Sequence, residues 1–318
     1  MRIFVTGATG FVGKALIKEL LSAGHNIIAG VRNHSVELPV EVEQQQIGDL
    51  GLLSEQNTLI DTLKKVDVVI HTAARVHIMH DKAADPLTEF RKTNVNATLA
   101  LAKQAAIAGV KRFVFISSIK VNGESTDHRQ AFRETDKPAP EDAYGQSKLE
   151  AEQVLFELSH TKPMEVVIIR PPLIYGPGVK ANFASLIKII KKGVPLPFGA
   201  TSNQRSLLAI DNLVDFLMLC IVHPAAVNQV FLLADGEDVS TTILLKKLAF
   251  AYRTPCRLLP ISTSWMRFVA KLLGKQTITD RLFGDLQIDI SKAQSLLGWK
   301  PLTTMDQQLK KMAESDKN

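Results

Sequence analysis

The first half of the chain alternates between short apolar runs and longer segments with helical periodicity. The runs have the length of buried strands, and the segments between them, such as residues 15–21 and 86–108, carry apolar residues three and four positions apart. Regular alternation of this kind predicts βα units and a doubly wound parallel sheet of the α/β class. The six predicted strands are residues 2–6, 26–31, 42–47, 66–71, 112–118 and 164–170.

The pattern changes after Gly178, where helical periodicity dominates and only short apolar runs, such as residues 229–234, lie between the helices. This change predicts a sheet domain over residues 1–178 and a smaller, mostly helical lobe over residues 179–318, with some chain free to cross back. We expect ligands in the cleft between them. The predicted helices of the lobe are residues 183–192, 212–222, 241–252, 264–273, 291–297 and 303–313.

Composition and charge are typical of a soluble globular protein. Of the 318 residues, 46% are hydrophobic and 22% are charged. The net charge of +6 is mild and scattered, whereas nucleic-acid binding requires a clustered basic face. We therefore expect no nucleic-acid partner, although a basic site for a phosphate-bearing substrate fits the same balance.

The sequence gives no reason to expect a disulfide, a membrane span or a metal site. Cys220 and Cys256 lie in apolar surroundings, so a reduced, cytoplasmic compartment is the expectation. The longest apolar stretch, residues 213–222, is too short to span a bilayer. His77 and His80 are three residues apart but lack the glutamate of a zinc-binding helix, so we expect no metal.

A glycine-rich turn follows the first predicted strand and precedes the first predicted helix. Residues 7–13 read Gly-Ala-Thr-Gly-Phe-Val-Gly. Glycines permit a tight turn and a close approach of backbone to a pyrophosphate, and the helix N-terminus offers oriented N–H groups. A strand, a glycine turn and a helix in this order predict a dinucleotide-binding site.

The end of the second predicted strand bears on which dinucleotide is bound. A protein that binds NAD usually places Asp or Glu there to hold the adenosine ribose. This chain instead has Arg32 after Gly30 and Val31, and a guanidinium can pair with the 2′-phosphate of NADP. We therefore expect NADP, with NAD as the alternative. In the simplest other interpretation, Arg32 only begins a solvated loop.

Two further groups suggest proton chemistry. Tyr144 and Lys148 are four residues apart, so a helix places them one turn apart on one face. A cation at that distance favours the phenolate and lowers the tyrosine pKa, although such pairs also occur on ordinary surfaces. Ser117 and Ser118 end the fifth predicted strand, at the sheet edge where open α/β sheets bind ligands.

These motifs together resemble one protein family. The glycine turn, Ser118, the Tyr144–Lys148 pair and the segment Tyr175-Gly176-Pro177 occur in the order and at the spacing of the extended short-chain dehydrogenase/reductases, the NAD-dependent epimerase/dehydratase family. The resemblance implies a Rossmann-type NAD(P)-binding domain followed by a lobe that binds a nucleotide sugar. It also implies a homodimer, formed through the helix after Pro86 and the helix that bears Tyr144.

The resemblance further implies roles for individual residues. Tyr144 exchanges the proton of the reacting oxygen, Ser118 holds that oxygen, and Lys148 holds the nicotinamide ribose and lowers the Tyr144 pKa. Asp49 is implied to contact the adenine, although a helix cap is an equally good interpretation of it. The implied cofactor contacts are Gly7, Thr9, Gly10, Phe11, Val12, Gly13, Arg32, Asp49, Leu50, Ala73, Ala74, Asn94, Tyr144, Lys148 and Pro171. The implied substrate contacts are Ser117, Lys120, Asn182, Arg205 and Arg281.

Two reactions of such enzymes use this machinery. A 4-ketoreductase transfers one hydride and exchanges NADPH, whereas a 4-epimerase oxidises and then reduces the sugar with retained NAD. Arg32 and residues 117–123 favour 4-keto reduction of a UDP-2-acetamido-2,6-dideoxy-hexos-4-ulose, of the UDP-QuiNAc or UDP-FucNAc type, in surface polysaccharide or lipopolysaccharide synthesis. The alternatives are a 4-epimerase of UDP-hexose or UDP-HexNAc and, less favoured, a non-catalytic NADP-sensing protein.

Overall fold

The structure, a computed structural model, describes residues 1–55, 59–76, 85–272 and 282–317. Its strands are β1 (Arg2–Thr6), β2 (Asn26–Val31), β3 (Glu43–Gln46), β4 (Val68–His71), β5 (Arg112–Ile116), β6 (Glu165–Arg170), β7 (Ile174–Tyr175), β8 (Leu208–Ala209) and β9 (Gln229–Leu232). Seven of them form one sheet in the order β3-β2-β1-β4-β5-β6-β9, and each neighbouring pair is parallel. The doubly wound parallel sheet predicted from the sequence is confirmed.

Helices cover both faces of this sheet and form most of the C-terminal lobe. Their bounds are α1 (Phe11–Ser22), α2 (Ile60–Leu63), α3 (Pro86–Phe90), α4 (Ala97–Ala108), α5 (Ala143–Thr161), α6 (Ala181–Lys191), α7 (Ile210–Val222), α8 (Thr241–Ala251), α9 (Thr263–Leu272), α10 (Ser291–Leu297) and α11 (Met305–Ser315). A π-helical turn, Arg91–Asn96, joins α3 to α4. Within the described ranges, no helix is both long and apolar enough to cross a membrane.

The seventh strand of the sheet comes from beyond residue 178. The short run at residues 229–234, predicted between the helices of the lobe, contains β9, which pairs in parallel with β6. Phe231 and Leu232 of β9 are fully buried. By pairing with β6, β9 covers an edge of that strand which would otherwise be exposed to water. The sheet therefore depends on chain that returns from the C-terminal half.

Alternating side chains divide the core into two layers, one on each face of the sheet. Ile3 and Val5 of β1 pack with α1 and α7, whereas Phe4 between them packs with α4 and α5 on the opposite face. A third cluster fills the C-terminal lobe and includes Tyr175 and Phe183. Helix α5 thus lies directly on the central strands, where its buried face can reach their carboxyl ends.

A buried ion pair fastens α5 to the sheet. Arg170, at the end of β6, directs its guanidinium at Glu152 of α5, with an Nε–Oε1 distance of 2.9 Å. Only 6% of the Arg170 side chain and 3% of the Glu152 side chain are exposed. Arg170 also donates to Asn122 Oδ1 at 2.9 Å, and Ser117 Oγ donates to Glu152. Strands β5 and β6, the loop after β5 and helix α5 are thereby held to one another.

We predict that breaking this pair from either side destabilises the fold more than removing it whole. Glu152→Leu or Arg170→Met alone leaves a buried charge uncompensated, which costs about 3–5 kcal/mol of the free energy of unfolding. The double variant removes both charges, so its loss should be clearly smaller than the sum of the single losses. Urea denaturation of the three variants measures these losses.

The exposed pair Asp61–Lys64 provides the control for the ion-pair variants. Neutralising either partner there should change the free energy of unfolding by less than about 1 kcal/mol. Strictly additive losses at Glu152 and Arg170 would contradict the proposed coupling.

Candidate active site

Backbone contacts explain the glycines of the turn between β1 and α1. Gly7 has a φ of +69°, and its carbonyl accepts a 2.8 Å hydrogen bond from the Gly10 N–H. A Cβ on Gly13 would lie 2.1 Å from Gly7 O, and one on Gly7 would lie 2.6 Å from Thr72 Oγ1. Such distances are far inside van der Waals contact, so a side chain at either position would force the turn open.

The start of α1 suits the diphosphate of a dinucleotide. Gly10 is its N-cap, no described side chain caps the helix, and its first turn has no acidic residue. The first N–H groups of a helix need acceptors and carry positive dipole, which is the chemistry that binds phosphate. Thr9 and Gly10 are exposed, and Phe11 and Val12 are partly exposed. The residues present therefore fit the predicted cofactor at this end.

Two predicted adenosine contacts lie at the ends of β2 and β3. Arg32 is exposed directly after β2 and makes no hydrogen bond or ion pair with any residue of the described ranges. Asp49 is also exposed, and its Oδ1 accepts a 2.9 Å hydrogen bond from the Gly51 N–H. That bond caps the short 3-10 helix Leu50–Glu55, as the helix-cap interpretation expects, and leaves the other carboxylate oxygen available.

Asn94 connects the loop after β4 to helix α5. It is almost fully buried in the π-helical turn, and its amide exchanges hydrogen bonds with the backbone of Arg75 at 2.9 and 3.0 Å. The same amide donates to Ser147 Oγ at 3.0 Å. Ala73 and Ala74 lie in this loop, and Ala73 N is the atom that a Cβ on Gly7 would meet at 2.7 Å. The loop is thus held against the glycine turn.

The three predicted catalytic residues come together beyond the end of β5. Ser118 follows β5, and Tyr144 and Lys148 lie in the first turns of α5, which Asp142 caps by accepting from the Gly145 N–H at 2.7 Å. The Ser118 hydroxyl lies near enough to the Tyr144 phenol to lower its pKa. Lys148 Nζ donates to Ile116 O at 2.7 Å and lies 5.9 Å from the centre of the Tyr144 ring.

The protonation of this group differs from the expectation. Burial raises the pKa of the Tyr144 phenol above its ordinary value, the Asp142 carboxylate raises it further, and the hydrogen bond with Ser118 lowers it. Burial also lowers the pKa of Lys148 to about 7, against the opposing effect of Glu152. In the protein alone, lost solvation therefore outweighs the lowering of the Tyr144 pKa that the resemblance implies for Lys148, whose Nζ faces Ile116 O. That lowering stays a prediction for the protein with its cofactor bound.

Two predicted substrate contacts are engaged elsewhere. Ser117 is 3% exposed and donates its hydroxyl to Glu152, since neighbouring residues of an extended strand point to opposite faces. Lys120 Nζ lies 2.5 Å from carboxylate oxygens of both Glu124 and Asp142. Their contact with substrate stays a prediction: Ser117 faces Glu152 in this structure, and Lys120 is paired with Asp142, the cap of α5.

The remaining predicted contacts lie at the end of β6, in the C-terminal lobe or outside the described residues. The carbonyl of buried Pro171 accepts a 3.0 Å hydrogen bond from the Ile119 N–H, which holds the end of β5 beside β6. Arg205 is partly exposed in the lobe and donates to Gly284 O at 2.9 Å. Asn182 lies in the first turn of α6, where only the backbone is described. Arg281 lies outside the described residues, as do His77 and His80.

Sequence reasoning missed the polar residues behind the site. Glu152 lies four residues after Lys148 on the same helix face, and Arg170 is the last residue of the predicted strand 164–170. The one available signal was a charged residue at the end of an otherwise apolar strand, since such a residue needs a partner when buried. His71, interpreted as a packed histidine, is indeed buried between Thr6 and Thr98, and burial lowers its pKa to about 3.

Comparison with known proteins gives the family. A UDP-glucose 4-epimerase of Vibrio cholerae is 48% identical over 314 residues, which cover 98% of this chain and 94% of the relative. An N-acetyl-alpha-D-glucosaminyl-diphospho-ditrans,octacis-undecaprenol 4-epimerase of Escherichia coli O157:H7 is 30% identical over 248 residues, 77% of this chain and 71% of the relative.

Comparison with solved structures agrees with this result. The structure of MoeE5 in complex with UDP-glucuronic acid and NAD superposes with a TM-score of 0.78 at 26% identity, and the match covers 100% of this chain and 99% of that one. The NAD dependent epimerase/dehydratase family matches residues 3–234, well over half of the sequence. The chain therefore belongs to the NAD-dependent epimerase/dehydratase family of extended short-chain dehydrogenase/reductases and is a nicotinamide-dependent enzyme.

Proposed function

We propose that the protein is a 4-epimerase of a UDP-hexose or UDP-N-acetylhexosamine. The observation that carries the proposal is the convergence of Ser118, Tyr144 and Lys148 beyond β5, in the sheet whose first strand leads into the glycine turn. The Vibrio cholerae relative, whose similarity extends over nearly the full length of both chains, supports epimerisation over the reductase favoured by the sequence pattern. The 4-ketoreductase remains the second candidate, on the strength of Arg32.

The chain's own residues provide the proton transfers. When bound, the nicotinamide cofactor supplies a hydride acceptor and donor. Tyr144, as the phenolate, takes the proton of the C4 hydroxyl when the sugar is oxidised and, as the phenol, returns it to the ketone oxygen when the sugar is reduced, while Ser118 holds that oxygen. In the protein alone Tyr144 rests as the neutral phenol, because its pKa is raised. Protonated Lys148, one turn away, is the cation placed to favour release of the phenol proton.

A direct assay separates the two reactions. Purified protein incubated with UDP-glucose, without added reduced cofactor, should form UDP-galactose with no net change in nicotinamide absorbance; UDP-N-acetylglucosamine is the parallel substrate. The proposal would be contradicted if the protein oxidised NADPH with a UDP-2-acetamido-2,6-dideoxy-hexos-4-ulose as substrate and epimerised neither UDP-glucose nor UDP-N-acetylglucosamine. That result would establish the reductase.

We predict that Tyr144→Phe lowers kcat by at least about 100-fold, because general acid–base catalysis by one side chain contributes about 10²–10⁴-fold. Substrate binding measured by calorimetry should change little, since the ring remains. The chain offers a matched control in Tyr252→Phe, which removes the same hydroxyl from the lobe, where it binds Asp316. Turnover that survives Tyr144→Phe within twofold rules out the catalytic role and favours a sensing protein.

The buried lysine predicts a pH dependence of stability. The folded-state pKa of Lys148 is about 7, below its ordinary 10.5, so between these values the unfolded chain binds a proton that the folded protein does not. The free energy of unfolding should therefore rise with pH, by about 2 kcal/mol from about pH 7 to about pH 9. Denaturation of the wild type and of Lys148→Met at both pH values measures it, and parallel rises in the two proteins contradict the assignment.

Arg32 predicts the cofactor preference. If its guanidinium pairs with the 2′-phosphate, Arg32→Gln should weaken NADP⁺ binding by about tenfold, the loss of one charge-assisted interaction, and leave NAD⁺ binding within twofold. Titration of both nucleotides into both proteins provides the comparison. If Arg32→Gln weakens the binding of both nucleotides equally, Arg32 does not recognise the 2′-phosphate. If it changes the binding of neither, Arg32 only begins a solvated loop.

A further inference from the structure

Helix α9 exposes a large apolar surface. Trp265 and Phe268 are each 60% exposed and Leu272 is 71% exposed, although tryptophan, phenylalanine and leucine are normally among the more buried residue types. None of the three buried clusters of the fold includes a described α9 residue. The described part of the helix thus lies on the outside of the lobe, and its described apolar side chains belong to none of the three clusters.

The exposed apolar residues form one stripe. At about 100° per residue, Trp265, Phe268 and Leu272 fall within an arc of about 60° on the helix surface. Lys271 and Arg267 lie beside that arc, on the side of Phe268, and both are exposed. An apolar stripe bordered by cations is the form of a helix that lies in a membrane interface, with aromatic rings at the headgroup level.

The charge of the sequence that contains α9 is one-sided, although Lys247 within it is paired with Glu237 and Asp306. Between Asp238 and Asp280 the sequence has seven lysines and arginines and no acidic residue, so the positive charge is more clustered than the overall composition suggested. Two further large apolar side chains in this stretch are exposed, Phe250 at 86% and Leu259 at 48%. Apolar and cationic groups therefore coincide in one segment of sequence, and it lacks carboxylates that would repel an anionic surface.

We propose that α9 docks on an anionic lipid bilayer and that the protein binds the membrane peripherally through it. The apolar stripe would enter the interface to a shallow depth, and Lys271 would reach the lipid phosphates while its methylenes cover apolar surface. A second copy of this face fits less well, because it would set cations against cations. The proposal concerns a binding surface and does not depend on which sugar the enzyme converts.

The two tryptophans make the proposal measurable in the full-length protein. Trp299 is 4% exposed and donates its indole N–H to Asp215, so Trp265 is the one that can change environment. Vesicles of phosphatidylcholine with phosphatidylglycerol should shift the fluorescence emission to the blue, whereas vesicles of phosphatidylcholine alone should not. In Trp265→Phe the shift should disappear while cosedimentation with the anionic vesicles persists.

Paired variants identify the stripe. Trp265→Ser/Phe268→Ser should raise the lipid concentration for half-maximal cosedimentation by at least about tenfold, because it removes most of the apolar surface. The matched control Val36→Ser/Val40→Ser removes two fully exposed valines from the sheet domain and should bind like the wild type. The contribution of charge is tested by Lys271→Glu, which should weaken binding to anionic vesicles. The control, Lys65→Glu, reverses the charge of a lysine outside α9 and should not weaken it.

Three outcomes would overturn the proposal. The first is no cosedimentation of the wild type with anionic vesicles, and the second is equal binding to neutral and anionic vesicles. The third is that, without lipid, Trp265→Ser/Phe268→Ser converts an oligomer to a smaller species by light scattering, since the stripe would then be an interface between copies. Circular dichroism that matches the wild type ensures that each variant is folded.

Discussion

The buried ion pair between Arg170 and Glu152 is the constraint on which the catalytic geometry depends. Two opposite charges in an apolar interior tolerate little displacement, because separation leaves each of them desolvated and uncompensated. Glu152 is one turn beyond Lys148 in α5, and Arg170 ends the strand next to β5. The pair therefore fixes the helix that carries Tyr144 relative to the strand that precedes Ser118, and the Glu152 charge also opposes the loss of the proton from Lys148.

The site forms where several backbone elements end together. The winding of the sheet reverses between β1 and β4, so the helices that follow these two strands lie on opposite faces, and open α/β sheets bind dinucleotides at such a point. Close packing keeps this region narrow: a Cβ on Gly7 would collide with Thr72 and Ala73, and Asn94 fastens the same loop to α5. The π-helical turn around Asn94 is the kind of local irregularity that often accompanies a functional site. The glycine turn, the loop after β4 and helix α5 are consequently held by one connected framework.

The environment of the proton-transfer group also constrains how it can work. Burial disfavours charge on both Tyr144 and Lys148, which keeps the phenol protonated and brings the lysine pKa close to neutral. Tyr144 thus holds its proton in the protein alone. Oxidation of a substrate alcohol requires the phenolate, so an additional positive charge near Tyr144 is needed in that direction. The surface of the lobe has the opposite character: α9 presents apolar and cationic side chains to solvent, whereas the polar groups behind Ser118 are buried.

The sequence by itself determined the strand–helix alternation, the glycine turn and the pairing of Tyr144 with Lys148, because these follow from local periodicity and spacing. Contacts distant in sequence were not accessible to it. Only the tertiary structure decided that β9 returns to pair with β6, that Ser117 turns toward Glu152, and that lost solvation outweighs the lysine charge at Tyr144. The physical reason is the same throughout: burial and long-range partners set the energy of a polar group, and a sequence records which groups exist but not which of them lose water together.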